Sequence, residues 1–123
     1  MTMDARSERN LIGVHPDLVR VVRAAAKKSK FIVTEGLRTK ARQAQLVKAG
    51  ASKTMNSRHL TGHAIDVAAL VNNEVRWDWP LYAAIAKEIK QAAADLKVPI
   101  IWGGDWRTFK DGPHFELDRR KYP

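Results

Sequence analysis

The sequence contains no cysteine, which excludes disulfide bonds and thiolate metal sites. Any metal ion must therefore be bound by histidine and carboxylate side chains. The first residues, MTMDARSERNLIGV, are charged and lack the run of about 7–15 apolar residues that marks a signal peptide. No run approaches the roughly 18 apolar residues of a membrane-spanning helix. These absences predict a chain that is made in the cytoplasm without a signal peptide and has no stable membrane insertion.

The composition is that of an ordinary globular domain. Of the 123 residues, 45% are hydrophobic and 28% are charged, a balance that supports one modest hydrophobic core. Internal repeats, low-complexity segments and long linkers are also missing from the sequence. We therefore expect a single domain over residues 1–123, and we expect it to be a monomer.

The net charge of +9 favours polyanionic partners, such as nucleic acid, acidic lipid surfaces or the anionic bacterial envelope. The basic residues occur in short groups spread along the chain, without the interleaved aromatic residues of single-strand binders. No recognised nucleic-acid-binding motif is present, so we expect no nucleic-acid partner. Solubility and a weak general attraction to anions remain the plain interpretation of the charge.

Hydrophobic spacing and turn residues predict four helices and five strands. The helices are a short one capped by Ser7, then 16–28, 40–49 capped by Thr39, and 80–96. The strands are 31–36, 63–70, 74–77, 100–104 and 113–117, with a hairpin turn at Asn72-Asn73. Because helices and strands do not alternate regularly, we predict an α+β fold: a small antiparallel sheet with helices packed on it.

The segment SRHLTGHAIDV, residues 57–67, combines a loop histidine, His59, with a carboxylate inside an apolar strand, Asp66. A buried carboxylate needs a partner, which a metal ion or a nearby histidine can supply. His114 begins the last predicted strand. Two histidines and one carboxylate form a ligand set for catalytic zinc, with the fourth position open to water. The residues alone leave two interpretations open: a zinc site at the sheet and the adjoining loop, or a buried carboxylate that pairs with a nearby histidine.

The segment DGPHFE places a second carboxylate, Asp111, three residues before His114. The tight turn at Gly112-Pro113 can bring this carboxylate beside the metal without making it a ligand. A carboxylate in that position can accept a proton from metal-activated water and pass it to a leaving amine. Asp111 is thus the candidate general base and acid, and its alternative is an ordinary turn aspartate.

Two motifs resemble those of a known peptidase family. SRHLTGHAIDV matches the S-x-H-x-x-G-x-A-x-D motif of the zinc D-alanyl-D-alanine carboxypeptidases, which include the VanY and VanX types, and a D-x-x-H motif follows at Asp111–His114. The flanking segments GVHPDLVRVV, VTEGLRT, RQAQLVKAGAS and WGGDW are similar to the phage branch of this family, the L-alanyl-D-glutamate endopeptidases or endolysins. The resemblance extends from about Leu11 to Leu117.

The resemblance implies one zinc ion bound by His59, Asp66 and His114, with Asp111 as the catalytic acid and base. It also implies that Arg38, in EGLRT, binds substrate or stabilises the oxyanion, since a guanidinium can pair with a carboxylate or polarise a carbonyl. The alternative for Arg38 is a surface arginine at the start of a helix.

Three further residues have two interpretations each. Ser57, the motif serine, either contacts substrate or is an ordinary loop residue. Trp106 either forms a wall of the substrate groove or belongs to the core. Glu116 either supports a ligand histidine or is exposed.

The resemblance implies a phage-type endolysin that hydrolyses the L-alanyl-D-glutamate bond of peptidoglycan stem peptides and so causes host lysis. We expect no separate cell-wall-binding domain, and action on the wall after permeabilisation of the membrane. One alternative is a D-alanyl-D-alanine carboxypeptidase with the same zinc site, although such enzymes usually carry a GYRS-like stretch where this chain has GLRT. The other is a non-catalytic zinc-containing wall-binding module.

Overall fold

The fold is built around an antiparallel sheet with the strand order β1-β2-β5-β4, in which β3 pairs with the far end of β2. The computed structural model describes residues 3–52 and 54–123. The helices are α1 (Ala5–Asn10), α2 (Pro16–Ala26), α3 (Lys40–Lys48) and α4 (Trp79–Leu96). The strands are β1 (Phe31–Glu35), β2 (Ala64–Val71), β3 (Glu74–Arg76), β4 (Ile100–Trp102) and β5 (His114–Leu117). The predicted α+β fold is confirmed.

The central strand β2 separates the core from the opposite face of the sheet, because successive side chains point to opposite faces. Ile65, Val67 and Ala69 belong to the hydrophobic core, where they meet the packed helices α2 and α4. Asp66 lies between two of these residues and therefore points to the other face. The core thus sits on one side of the sheet and leaves the other side free for polar chemistry.

Helices α2 and α3 begin where the sequence predicts. Pro16 opens α2, and Thr39 caps α3 by accepting a hydrogen bond from the Arg42 amide. The predicted end of α2 near Lys28 is two residues too late. Asn72 and Asn73 both have positive φ angles, 53° and 65°, as the tight hairpin between β2 and β3 requires.

The predicted cap of the first helix is wrong. Asp4 caps α1 by accepting a hydrogen bond from the Ser7 amide, at 3.0 Å. Ser7 is instead fully buried inside α1, where its hydroxyl accepts from the Val33 amide at 2.9 Å. Asn10 donates to the Val33 carbonyl, at 2.8 Å. Side chains of α1 therefore satisfy the backbone of the edge strand β1, which would otherwise expose unpaired groups.

The predicted strand over residues 100–104 is two residues shorter in the structure. It ends at Trp102, since Gly103–Asp105 turn away as a single 3-10 turn. A second 3-10 turn, Arg58–Thr61, interrupts the segment that the sequence predicts as loop. Within the described residues, no helix combines the length and the apolar character that crossing a membrane demands.

Candidate metal centre

The register of the sheet brings two of the predicted ligands together. Asp66 on β2 lies directly opposite His114 on β5, and Glu35 on β1 lies opposite Asp66 on its other side. A shift in register between Val33 and Glu35 places Glu35 beside Asp66. Three titratable side chains are therefore adjacent across three neighbouring strands.

The third predicted ligand comes from the 3-10 turn before β2. Ser57 caps this turn, because its hydroxyl accepts a hydrogen bond from the His59 amide at 3.2 Å. Gly62 ends the turn with a φ of +75°, and a Cβ at this position would lie 2.3 Å from the Gly13 carbonyl oxygen. Only glycine fits there, and the tight turn directs His59 back over the sheet.

The three predicted ligands converge on one point. His59, Asp66 and His114 each offer one donor atom, and these three atoms lie within 4.8 Å of one another. His59 Nε2 is 3.3 Å from Asp66 Oδ2, and His114 Nδ1 is 3.4 Å from Asp66 Oδ1. His59 Nε2 and Asp66 Oδ1 are buried and make no hydrogen bond among the described residues. Buried polar atoms without partners are costly, so a cation bound between them fits this donor set.

The other nitrogen of each histidine ring is already bound. His59 Nδ1 donates to the Gly36 carbonyl, and His114 Nε2 donates to the Glu116 carboxylate, each at 2.8 Å. These bonds fix the ring orientations and leave His59 Nε2 and His114 Nδ1 to face Asp66, as in metal sites supported by outer carboxylates. Glu116 is buried, so its interpretation as an exposed residue is wrong.

The charges of the cluster stabilise one another. Burial alone would raise the pKa of Asp66, but its contacts with His114 and His59 hold that pKa well below its ordinary value. Burial alone would lower the pKa of His114, but the nearby Asp66 carboxylate and the hydrogen bond to Glu116 raise it to about 9. The raised pKa favours a protonated His114 in the metal-free cluster, and a metal ion bound at Nδ1 would displace that proton.

Asp111 lies in the same cleft, in a turn held by the segment WGG, residues 102–104. The Trp102 indole donates to the Gly112 carbonyl at 2.7 Å, and the Asp111 amide donates to the Gly103 carbonyl at 3.0 Å. A Cβ on Gly103 would lie 2.4 Å from the Asp111 carbonyl oxygen, so this close approach requires glycine. Burial, and then the nearby Asp66 carboxylate, raise the pKa of Asp111.

Arg38 is a buried member of the site, and its interpretation as a surface arginine is wrong. Its side chain is 7% exposed and pairs with Glu35, with Asp66 Oδ2 at 3.5 Å further away. Gln43 is fully buried and accepts a hydrogen bond from Arg38 at 2.7 Å. Gln43 also donates to Ser52 at 2.8 Å, which ties the following loop to the arginine.

All seven predicted site residues line one cleft of about 410 Å³: Arg38, Ser57, His59, Asp66, Trp106, Asp111 and His114. The ring centroids of Trp106 and His114 are 5.0 Å apart. The sequence did not identify Glu35 or Gln43 as site residues. The only indication in the sequence is their closeness to Arg38: Glu35 precedes it by three residues and Gln43 follows it by five.

The family model described as phage L-alanyl-D-glutamate peptidase matches residues 1–121. This chain belongs to that family. It is 35% identical to the L-alanyl-D-glutamate peptidase of Escherichia phage T5 over 122 residues, covering 94% of this chain and 88% of the relative. It is also similar to the crystal structure of the Serratia marcescens L-Ala D-Glu endopeptidase ChiX, with 54% identity and a TM-score of 0.94, covering 100% of this chain and 94% of that one.

The fold is shared more widely than the sequence. The vancomycin resistance D,D-dipeptidase VanXYg has a TM-score of 0.60 to this chain at 19% identity, covering 85% of this chain and 50% of that one. The family resemblance carried by the two sequence motifs is confirmed.

Proposed function

We propose that this chain is a zinc-dependent peptidoglycan endopeptidase that hydrolyses the L-alanyl-D-glutamate bond of stem peptides. The main support for this proposal is that donor atoms of His59, Asp66 and His114 lie within 4.8 Å of one another, in a cleft that Asp111 also lines. Membership of the phage L-alanyl-D-glutamate peptidase family identifies the bond that this cleft cuts.

The proposed ligands of one zinc ion are His59 through Nε2, Asp66 through its carboxylate, and His114 through Nδ1. When bound, zinc supplies Lewis-acid polarisation of the scissile carbonyl and lowers the pKa of a water molecule. Gly36 and Glu116 keep the two rings oriented by accepting hydrogen bonds from the nitrogens that face away from Asp66.

Asp111 is the proposed proton carrier. Its carboxylate takes a proton from the attacking water, whose oxygen forms a bond with the alanyl carbonyl carbon. As the carbon–nitrogen bond breaks, the protonated Asp111 gives the proton to the leaving amine of D-glutamate. The hydrogen bonds from Trp102 and to Gly103 hold the turn that carries Asp111 in the cleft.

The roles of the remaining cleft residues stay predictions. Arg38 already forms an ion pair with Glu35 and a hydrogen bond with Gln43. We therefore favour an electrostatic role near the developing oxyanion over direct binding of a substrate carboxylate. Ser57 supports the turn that carries His59, and a substrate contact is an additional role. Trp106 offers an aromatic wall beside His114.

We also propose that the enzyme is a monomeric single domain that acts on the cell wall after the membrane is permeabilised. The positive charge, formally +9, promotes adsorption to the anionic envelope. Adsorption to purified walls should therefore weaken as the salt concentration is raised. Adsorption that does not change with salt concentration would contradict this role of the charge.

The decisive experiment is a digest of purified peptidoglycan, analysed by mass spectrometry. The wild type should release fragments with new D-glutamate amino termini, lose this activity with a chelator and regain it with zinc. Asp66→Asn should lose both zinc content and activity. Asp105→Asn is the matched control, because Asp105 pairs with Lys90 at the exposed surface.

Other products would change the conclusion. Free D-alanine would identify the carboxypeptidase alternative. Wall binding without any product would favour the non-catalytic module.

A further inference from the structure

One wall of the cleft carries an arginine that the proposed chemistry does not use. Arg119 follows β5 and lines the cleft, and its side chain is 60% exposed. Among the described residues, its closest charged partner is Glu116, at 4.0 Å between Arg119 Nε and Glu116 Oε2. That distance is at the limit of an ion pair, and the other oxygen of Glu116 already accepts from His114. Arg119 therefore keeps donors for a ligand in the cleft.

The other two arginines that line the cleft, Arg38 and Arg58, bond to other groups of the protein. Arg38 bonds to Glu35 and Gln43. Arg58 is buried and donates to the backbone carbonyls of Leu117 and Tyr122.

The environment of Arg58 adds a second reason to expect an anion. Arg58 lines the same cleft as Arg119. The Nε atom of Arg58 is buried without a hydrogen-bond partner among the described residues. A buried donor without a partner is costly, so an anion that accepts from Arg58 as well as from Arg119 is favoured.

The substrate class supplies such an anion next to the scissile bond. D-Glutamate has two carboxyl groups, and its amine is part of the bond that is cut. The stem peptide continues through one carboxyl group, so the other remains as a carboxylate unless it is amidated. L-Alanine, on the other side of the bond, has no charge. The free carboxylate, where it is not amidated, is therefore the one ionic group of this dipeptide unit.

We propose that Arg119, with Arg58 in the same cleft, forms the subsite for the free carboxylate of the D-glutamate residue. This inference rests on the proposed function, because it assumes that the cleft binds the L-alanyl-D-glutamate unit. An arginine pairs with a carboxylate through two parallel hydrogen bonds, so the subsite selects the carboxylate over its amide. The enzyme thereby distinguishes walls in which this carboxyl group is free from walls in which it is amidated.

The test uses two synthetic stem peptides that differ only in this carboxyl group, which is free in one and amidated in the other. The wild type should cleave the free form with a kcat/KM about 10- to 100-fold higher, the range expected for hydrogen bonds to a charged group. Arg119→Gln should lose most of this preference, by losing activity on the free form and keeping its activity on the amide. Arg119→Lys should keep part of it.

The matched control is Arg120→Gln, which removes the same charge one residue away. Arg120 pairs with Asp118 and its side chain is 87% exposed, so this variant should keep the wild-type preference. Thermal unfolding and zinc content of the two Arg119 variants should match the wild type, since Arg119 is mostly exposed.

Three outcomes would overturn the inference. The wild type can show no preference, Arg119→Gln can retain the wild-type preference, or it can lose activity equally on both peptides. If folded, zinc-loaded wild type cleaves neither peptide, the proposed function itself fails, and the inference fails with it.

Discussion

The two faces of the sheet use the same strands for different purposes. On the helix-covered face, Ile65 and Val67 of β2 pack into a core with Ile89 of α4. On the open face, Asp66 meets His59 and His114, and two buried polar atoms of this cluster have no hydrogen-bond partner in the described part of the chain. Stability and chemistry are therefore separated between neighbouring residues of one strand. Substitutions on one face should change the free energy of unfolding, and those on the other should change turnover.

The largest expected effect is on the open face. Asp111→Asn should lower kcat by about 100- to 10,000-fold, the usual contribution of a general acid or base. Because the pKa of Asp111 is raised in the folded protein, its ionised form costs stability at neutral pH. The variant should therefore be at least as stable as the wild type in urea unfolding with a chelator present. A clear loss of stability would show that this residue also holds the fold.

The converse experiment is on the helix-covered face. Ile89 is fully buried, so Ile89→Ala should lower the free energy of unfolding by about 2–5 kcal/mol. Activity per folded molecule should remain at the wild-type level. Ile12 is 74% exposed, and the control Ile12→Ala should change stability by less than about 0.5 kcal/mol. Equal effects of the two substitutions would contradict the location of the core.

The open face also contributes to stability, in a manner that depends on pH. The pKa of His114 is raised to about 9 in the fold, from an ordinary value of 6.5. Such a group contributes stability that is complete below its unfolded pKa and is lost as the pH rises through its folded pKa. In chelator-treated protein, the free energy of unfolding should fall on the order of 3 kcal/mol between pH 6.5 and about 9. Urea unfolding of the wild type and of His114→Gln tests this, because the variant should lack that loss.

A smaller effect is expected at Trp102, a core residue that bonds to the turn of Asp111. Trp102→Phe removes the donor to the buried Gly112 carbonyl, at a cost of about 1–3 kcal/mol in stability. Because this carbonyl lies in the turn of Asp111, kcat should also fall, with zinc content unchanged. The control Asp105→Asn, in the same segment, breaks only an exposed ion pair and should cost less than about 1 kcal/mol. If Trp102→Phe kept a normal kcat, the hydrogen bond to this turn would not contribute to catalysis.

The sequence was sufficient to predict most of the helices and strands, and the residues of the proposed metal site. Helix α3 and the hairpin at Asn72-Asn73 follow local rules of capping and turn formation, so the sequence predicts them well. The residue types and the motif spacing of His59, Asp66 and His114 are enough to propose them as metal ligands, and the fold brings them together.

What the sequence did not reveal depends on contacts between distant residues. Ser7 looks like a helix cap, yet its hydroxyl is used by Val33, 26 residues away. Glu35 reaches Asp66 only because the register of β1 and β2 shifts beside it. Gln43 is an unremarkable helical residue until the fold buries it between Arg38 and Ser52.

Tyr122 joins three distant parts of the chain, and this matters for anyone who wishes to attach another domain to the enzyme. Its carbonyl accepts from Arg58, the residue before His59, and its hydroxyl donates to Asp17 of α2. A linker that begins before Tyr122 would release Arg58 and loosen the turn that presents a metal ligand. A fusion designed at this end should therefore keep Tyr122 in place, or the new module would be gained at the expense of metal affinity.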